Sequence, residues 1–474
     1  MAAVLFLRMS TVGAAASALA VALVIWWSGW FLPSQIEHLS RAAQDAIVLQ
    51  LLVGVVIYSG LLFVEISRRS GTVSAISEVI GNTGLNTTRS VILIAVGIGV
   101  TVESLTGYGV SMLITVPLLL RVVSRTRAIA AALIGMSLMP WGALSVAALL
   151  GAELAGLTVP VLAQSYLSTS GAIAFLLPLL CAAVAGGNRG ADWLFALAAG
   201  TILVSGIGLT SSFIGVEVAG VVGGGAVIAL CLLTTAWSPA LRAALRDRAL
   251  WPYPILLAVI VAQKLGLQVL PLADGAFSLA TARVSFDVLA SPALALAGAS
   301  LLSAWLIPAR EERYRYRLFA HVSGRSWRAL LSVLLFLLTA RLLIESGGVA
   351  ALASMLSELG PFLAGPTVAL LGGLGAYVTG SGVTSNALFM PGAAETGASL
   401  GLAPLFAALQ QSGGGHVAMA SLPVIALLIA ALPERQPTDE PLAVKIGLGL
   451  ATGWMILVIA SGLVQIAMIA PLPG

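Results

Sequence analysis

The sequence predicts an all-α polytopic membrane protein of two inverted repeats, with broken helices or re-entrant hairpins among about 11–13 membrane segments. Three observations predict it. First, the chain of 474 residues is 59% hydrophobic and only 9% charged. A soluble domain is about half apolar and about a quarter charged, because most of its exterior faces water. Second, apolar runs near the roughly 20 residues that cross a hydrocarbon core recur along the whole length. Third, two Gly-rich polar interruptions stand at matching places in the two halves. A β-barrel would instead alternate apolar and polar residues over strands of about 10 residues, and no such pattern is present.

Taken in order, spans are expected at about 11–32, 46–65, 127–150, 171–187, 192–210, 212–236, 251–271, 289–308, 329–348, 402–432 and 442–468. The stretch at about 155–168 is apolar but short, and reads as a further half-span. The stretches at about 89–120 and 361–399 are interrupted and read as hairpins or broken helices. The first apolar run lacks a small-residue cleavage site and reads as a retained helix rather than a signal peptide. One integral membrane domain, 1–474, is expected. Its parts are a first repeat core (46–150), connecting helices (151–328), a second repeat core (329–432) and a C-terminal loop and helix (433–474).

Cys181 and Cys231 lie inside apolar runs, as small core residues rather than a disulfide or metal pair. No Cys/His cluster suggests a metal, and no cofactor is expected. The net charge of +4 reflects Arg in loops on the cytoplasmic side, not nucleic-acid binding.

Four Arg clusters orient the chain. They are Arg68 and Arg69; Arg121, Arg125 and Arg127; Arg242, Arg246 and Arg248; and the group from Arg310 through Arg313, Arg315, Arg317, Arg325 and Arg328. Placing all four inside requires the 89–120 stretch to enter and leave on one side, as a re-entrant hairpin does. The same bookkeeping makes the 361–399 stretch enter from the opposite face and puts the loop Pro433 to Pro441 inside.

The interruptions resemble each other. Thr106-Gly107-Tyr108-Gly109-Val110-Ser111 and Thr379-Gly380-Ser381-Gly382-Val383-Thr384 both read Thr-Gly-x-Gly-Val-hydroxyl. Each is followed by Ala-Ala-Leu, at Ala131 to Leu133 and Ala407 to Leu409, and then by a second expected break. Those breaks fall at Met136 to Gly142, which holds Ser137 and Trp141, and at Gln410-Gln411-Ser412-Gly413-Gly414-Gly415. Paired interruptions are the strongest sequence pointer to a transport site. The bland alternative is that glycine merely lets membrane helices pack closely, which does not explain why hydroxyls and amides accompany it twice. A broken helix presents backbone N–H groups that suit an anion. The hydroxyls, with the amides of Asn386, Gln410 and Gln411, add orienting hydrogen bonds without charge. The expected substrate-binding set is Thr106, Gly107, Tyr108, Gly109, Ser111, Ser137, Trp141, Thr379, Gly380, Ser381, Gly382, Thr384, Ser385, Asn386, Gln410, Gln411, Ser412 and Gly413.

Ionisable residues inside spans are costly and point to function. Glu103 stands three residues before the first break, and burial favours the protonated form of a carboxyl, which suits a proton carrier. The alternative is a carboxylate that caps the broken backbone. His416 is a second candidate proton site, because imidazole titrates near the working pH range. Arg341 and Glu345 share a helix face and read as an intrahelical ion pair. If the substrate needs a cation, Arg341 is the candidate, since a guanidinium binds carboxylate bidentately. Lys264 reads as snorkelling to the outer interface. Asp287, Glu153 and Glu217 are expected near interfaces.

At these motifs the chain resembles the lactate permease family of bacterial inner-membrane transporters. The matching residues are Val102-Glu103-Ser104-Leu105-Thr106-Gly107-Tyr108-Gly109, then Trp141-Gly142-Ala143, then Thr379-Gly380-Ser381 with Ser385-Asn386-Ala387-Leu388-Phe389, and last Ser412-Gly413-Gly414. Order and spacing hold over about residues 45–430. The chain departs from the family at Gly382, where an acidic residue is usual. It departs also at Val110-Ser111-Met112, where Pro-Val-Ala is usual, and at His416-Val417-Ala418-Met419, where a lysine is usual. The resemblance implies two inverted repeats and uptake of lactate or glycolate with protons.

The expected function is therefore secondary active transport of a small organic anion in the bacterial inner membrane, coupled first to protons. Na⁺ coupling with another organic anion is the next reading, with Na⁺ held by unwound carbonyls beside Ser385 and Asn386. A passive channel and a non-transporting scaffold follow. No enzyme motif and no nucleic-acid partner are expected, and homodimerisation is left open.

Overall fold

A computed structural model describes residues 10–107, 109–269, 277–307 and 315–469. Among the described residues, ten helices are long and apolar enough to cross a membrane. The chain is a helical, multi-pass membrane protein, as its composition requires.

α1 (Thr11–Ser28) leads to the 34-residue α2 (Ile36–Arg69) and the short α3 (Thr72–Gly81). α4 (Thr87–Thr106) is capped by Asn86, whose side chain accepts from Arg89 N at 2.9 Å, and carries a π-turn at Leu93–Ile98. After a break at Gly107 the chain turns back as α5 (Met112–Leu119). α6 (Arg125–Gly135), a 3-10 turn (Met136–Trp141) and α7 (Val146–Ala155) form a broken span. α8 (Val159–Ala185), α9 (Gly190–Phe213) and α10 (Val216–Leu233) follow, then α11 (Pro239–Leu245) and α12 (Pro252–Val269). An antiparallel pair, β1 (Ser278–Ala280) and β2 (Ser285–Asp287), sets Leu279 opposite Phe286. α13 (Pro292–Leu306), α14 (Arg315–Glu345) and α15 (Gly348–Ser357) lead to a second hairpin, α16 (Pro361–Thr379) and α17 (Gly382–Ser399). α18 (Ala403–Val417), a 3-10 turn (Ala418–Ala420), α19 (Leu422–Ala430) and α20 (Asp439–Ile469) complete the chain.

α20 serves as a depth ruler, because its 31 residues extend about 46 Å at 1.5 Å per residue. Its start is tied to the Arg-rich face: Arg125 donates to both carboxylate oxygens of Asp439 at 2.7 Å. Its middle meets the first half, where Trp454 Nε1 donates to Ser137 Oγ at 2.9 Å. Its far end meets the start of α16: a Cβ added at Gly365 would stand 3.0 Å from Ile466 Cδ1. Residues 86–88 and 120–124, the two ends of the first hairpin, line one cleft beside Arg127. The first hairpin therefore dips from the Arg-rich face and the second from the opposite one.

The Arg clusters gather as the loop charges predict. Thr72 Oγ1 donates to Ala249 O at 2.6 Å, and Arg121 to Ser77 Oγ at 2.6 Å. α2 and α14 run antiparallel, with Tyr58 OH 3.2 Å from Ser323 Oγ and Gln50 donating to Leu330 O at 3.1 Å. This register places Arg325 and Arg328 between the levels of Gln50 and Tyr58, near the middle of α2.

Several expectations are corrected. The 155–168 stretch is no half-span but the start of the continuous 27-residue α8. Its hydroxyls fit a helix because Ser165 Oγ donates back to Val161 O at 2.8 Å. Gln410 to Gly415 is not a break: it lies inside α18, and the 3-10 turn comes later, at Ala418–Ala420. Here the glycines serve packing, since a Cβ at Gly413 would stand 2.2 Å from Ala369 O and one at Gly372 2.4 Å from Gln410 O. The 251–271 and 289–308 segments are shorter helices of 18 and 15 residues, to the extent that they fall within the described residues.

Arg341 and Glu345 do not pair with each other. Arg341 donates to Asp45 on α2, and Glu345 accepts from Arg283 beside the strand pair. Both partners come from segments distant in sequence. Lys264 does not snorkel free but meets Glu217 at 2.6 Å. Glu153 accepts from Ser285 N, which docks the strand pair on α7. Asp287 caps the next turn by accepting from Leu289 N at 2.9 Å.

Candidate functional site

In the first hairpin α4 ends in a Thr-Gly step. Thr106 Oγ1 donates to Val102 O at 2.6 Å, which satisfies a carbonyl near the helix end. Gly107 has φ 68° and ψ −171°, a region essentially reserved for glycine. A Cβ there would stand 2.5 Å from Ala143 Cβ, so the tip docks on the segment that follows the first 3-10 turn. That segment is unusual. Ala143, Leu144 and Ser145 hold φ of 50°, 51° and 54°, three consecutive left-handed residues without a glycine. Tyr108 lies outside the described residues.

Glu103 lies across this interruption and is 2% exposed. Its Oε1 accepts from Gly109 N at 3.1 Å and its Oε2 from Ser111 Oγ at 2.8 Å. The carboxyl therefore joins the end of α4 to the turn that starts the returning helix α5. A Cβ at Gly109 would stand 3.1 Å from Leu427 Cδ1, which places α19 of the second half directly behind the tip. Nearby, the buried Ser104 Oγ and Trp141 Nε1 have no hydrogen-bond partner among the described residues, and the Trp141 and Tyr166 rings stand 5.0 Å apart.

The second hairpin repeats these devices. Thr379 Oγ1 donates to Gly375 O at 2.8 Å. Gly380 has φ 72°, and a Cβ there would stand 3.0 Å from Pro423 Cβ, just beyond the second 3-10 turn. Ser381 caps α17, its hydroxyl accepting from Thr384 N at 3.3 Å. Each half thus carries a threonine-closed helix end, a left-handed glycine, and a tip resting on the next broken span.

The halves interlock at mid-depth. Asn386 Nδ2 donates to Ala147 O at 2.6 Å and also meets Gln411 Oε1. Ser385 Oγ donates to Gly372 O at 2.6 Å, and Gln410 Nε2 donates to Ser385 Oγ at 3.3 Å. His416 is fully buried, with Nδ1 2.6 Å from Ser137 O and Nε2 2.8 Å from Ser170 Oγ. A carbonyl only accepts, so Nδ1 carries the proton. Ser170 and Thr169 stand 2.8 Å and 2.6 Å from Ser412 Oγ, completing a polar network between α8 and α18. Thr169 and Ser170 went unremarked in the sequence, where their hydroxyls read as ordinary helix residues.

The expected site residues are divided by the fold. Thr379, Gly380, Ser381 and Thr384 line a cleft of about 790 Å³ that also holds Arg325 and Arg328. Thr106, Ser137, Trp141, Gln410, Gln411 and Ser412 are packed in protein instead. The expected substrate-binding set spans both tips; the cleft is lined by the second tip but not by the first, which α19 covers. Arg341, the expected substrate cation, is buried and compensated by Asp45.

The family model for L-lactate permease matches residues 1–238 and 226–434. No curated protein sequence matches the chain. Among solved structures, the chain is similar to MtrF of Neisseria gonorrhoeae, described within a class of antimetabolite efflux pumps. Identity there is 14%, with 98% of this chain and 96% of that chain covered and a TM-score of 0.51. It is also similar to the YdaH transporter of Alcanivorax borkumensis, described as having an unusual topology. Identity is 15%, with 91% and 88% covered and a TM-score of 0.49.

Proposed function

Since the chain belongs to the L-lactate permease family, we propose that it is a secondary active transporter of a lactate- or glycolate-like monocarboxylate, moved together with a proton across a bacterial inner membrane. The observation that carries this reading is the pair of hairpins dipping from opposite faces, each broken at a Thr-Gly step. Backbone broken in hydrocarbon is tolerated only where protein or water covers it, and such breaks expose N–H groups to a solute. The repeat cores at about 46–150 and 329–432 would supply one hairpin each.

Glu103 is the proposed proton carrier. One carboxyl that takes a proton as the substrate brings one negative charge makes the loaded step electroneutral, and a low-dielectric path favours that. His416 is the proposed secondary proton site, within the network of Ser137, Ser170 and Ser412. The bound monocarboxylate would be oriented by hydroxyls and backbone N–H groups around Thr379, Ser381 and Thr384. Coupling to Na⁺ takes second place, because the backbone beside Ser385 and Asn386, expected to be unwound, lies within the helix α17 and its carbonyls are not freed by a break there.

The test is uptake of radiolabelled lactate and glycolate into proteoliposomes. With an alkaline lumen and no Na⁺, saturable accumulation above the outside concentration is expected. Uptake that needs Na⁺ at fixed pH, or that never exceeds equilibrium, would reject proton symport.

A further inference from the structure

We propose that the cleft on the Arg-rich face is an anion-selecting vestibule, in which Arg325 and Arg328 draw small carboxylates toward the Ser381–Thr384 start of α17. The inference deepens the transport reading above and rests on it only for the identity of the carboxylate.

Four observations converge. The cleft of about 790 Å³ runs from Arg325, Trp327 and Arg328 on α14 to Thr379, Gly380, Ser381 and Thr384 at the second hairpin tip. Among the described residues its lining contains these two arginines and no aspartate or glutamate, which gives them a charge of about +2. Both arginines are exposed, and neither forms an ion pair or side-chain hydrogen bond among the described residues. By contrast Arg125, Arg283 and Arg341 are each matched to a carboxylate. Deeper in, Thr384 is only 2% exposed, lines the cleft, and its hydroxyl has no partner among the described residues. It stands in the first turn of the 18-residue α17, whose unpaired N–H groups carry partial positive charge. A cation pair at the mouth with a free hydroxyl and a helix start at the floor is a graded path for a single carboxylate. Arg325 and Arg328 read in the sequence only as loop charges that set orientation, and the fold turns them toward a polar floor.

The probe is thiol labelling. Cys181 and Cys231 are both buried, so a cysteine placed in the cleft reports on the cleft. Thr384→Cys, with Ser332→Cys as a second position in the same lining, is reconstituted and exposed from the Arg-rich face. Two membrane-impermeant methanethiosulfonates are compared, one bearing a sulfonate and one a trimethylammonium group. The sulfonate reagent should react faster by about tenfold relative to the cationic one, after correction for their solution rates. Arg325→Gln with Arg328→Gln should bring the ratio near one, and lactate should slow the labelling. Equal rates in the parent, faster cationic labelling, or no labelling at either cysteine would overturn the proposal. An arm in purely zwitterionic vesicles separates carboxylate from lipid headgroup. Preference that persists there supports the vestibule. Labelling slowed by phosphatidylglycerol but not by lactate means a headgroup site and overturns it. The transport reading fails separately: a protein that selects the anionic reagent but accumulates no monocarboxylate would sink transport and spare the vestibule.

Discussion

Glu103→Gln separates the two roles open to this carboxyl, backbone cap and proton carrier. The glutamine side chain keeps an acceptor for Gly109 N and can donate its amide to Ser111 Oγ, so both contacts across the break survive. The change replaces charge-assisted or carboxyl hydrogen bonds with neutral ones, a loss of about 1 kcal/mol. A pure cap would therefore leave transport intact. A carrier would not, because an amide takes no proton in this range. For one proton per monocarboxylate, a gradient of one pH unit supplies about 1.4 kcal/mol and supports about tenfold accumulation. The membrane potential adds nothing to an electroneutral step. In proteoliposomes with a lumen one unit more alkaline, the parent should approach that tenfold ratio. Glu103→Gln should stay near one, while still exchanging labelled for unlabelled substrate. A variant that still accumulates substrate about tenfold refutes the carrier role. Glu103→Ala is the contrast: it strands Gly109 N–H and should lower stability by about 1–3 kcal/mol.

Three further outcomes follow from the packing. Gly107→Ala meets a backbone region costing about 1–3 kcal/mol and a Cβ only 2.5 Å from Ala143 Cβ; a clear drop in Tm by scanning fluorimetry is expected. Gly453→Ala, with nothing within 4 Å of the added atom, should be near neutral, and equal Tm values for the two would refute the docking of the tip. Asp45→Asn leaves the buried Arg341 uncompensated and should cost about 3–5 kcal/mol, with much of the loss recovered in the Asp45→Asn, Arg341→Met double variant. Additive losses in that cycle would show that the pair is not coupled. Asn386→Ala strands the Gln411 amide oxygen and one hydrogen bond to Ala147 O, so destabilisation of about 1–3 kcal/mol per stranded group is expected. An unchanged Tm would mean the halves are not held there.

That the clusters of Arg68, Arg121 and Arg248 share one face was legible because it depends on a count of loop arginines and needs no knowledge of their partners. Long-range pairing was not. Asp45 and Arg341 are separated by 296 positions, and nothing near either residue announces the other. The nearer partner in sequence, Glu345, was the natural choice for Arg341. It lost because the strand pair brings Arg283 to it, while α2 and α14 run antiparallel and deliver Asp45. The left-handed turn at Ala143, Leu144 and Ser145 was hidden for a related reason. Left-handed residues are usually announced by Gly or Asn, and here the docked Gly107 and the surrounding broken span impose the conformation on residues that do not prefer it.

The two glycine-rich signals show where local reading stops. Glycine lets a backbone turn left-handed and also lets another backbone approach, and the letter is the same in both uses. At Thr106-Gly107 and Thr379-Gly380 the glycine takes a positive φ, and the residue before it helps to close the helix. Its hydroxyl returns to a carbonyl four residues back, closing the helix end just as the glycine turns away. At Ser412-Gly413 the preceding hydroxyl is engaged elsewhere, with Thr169 and Ser170 on α8, so no helix end is closed and the glycine packs on Ala369 instead. The back-bond alone does not make a break: Thr452 Oγ1 donates to Leu448 O at 2.9 Å just before Gly453, and α20 runs on through both. What separates the cases is the glycine's positive φ and the docking of the tip on the next broken span, and both belong to the fold rather than to the local sequence.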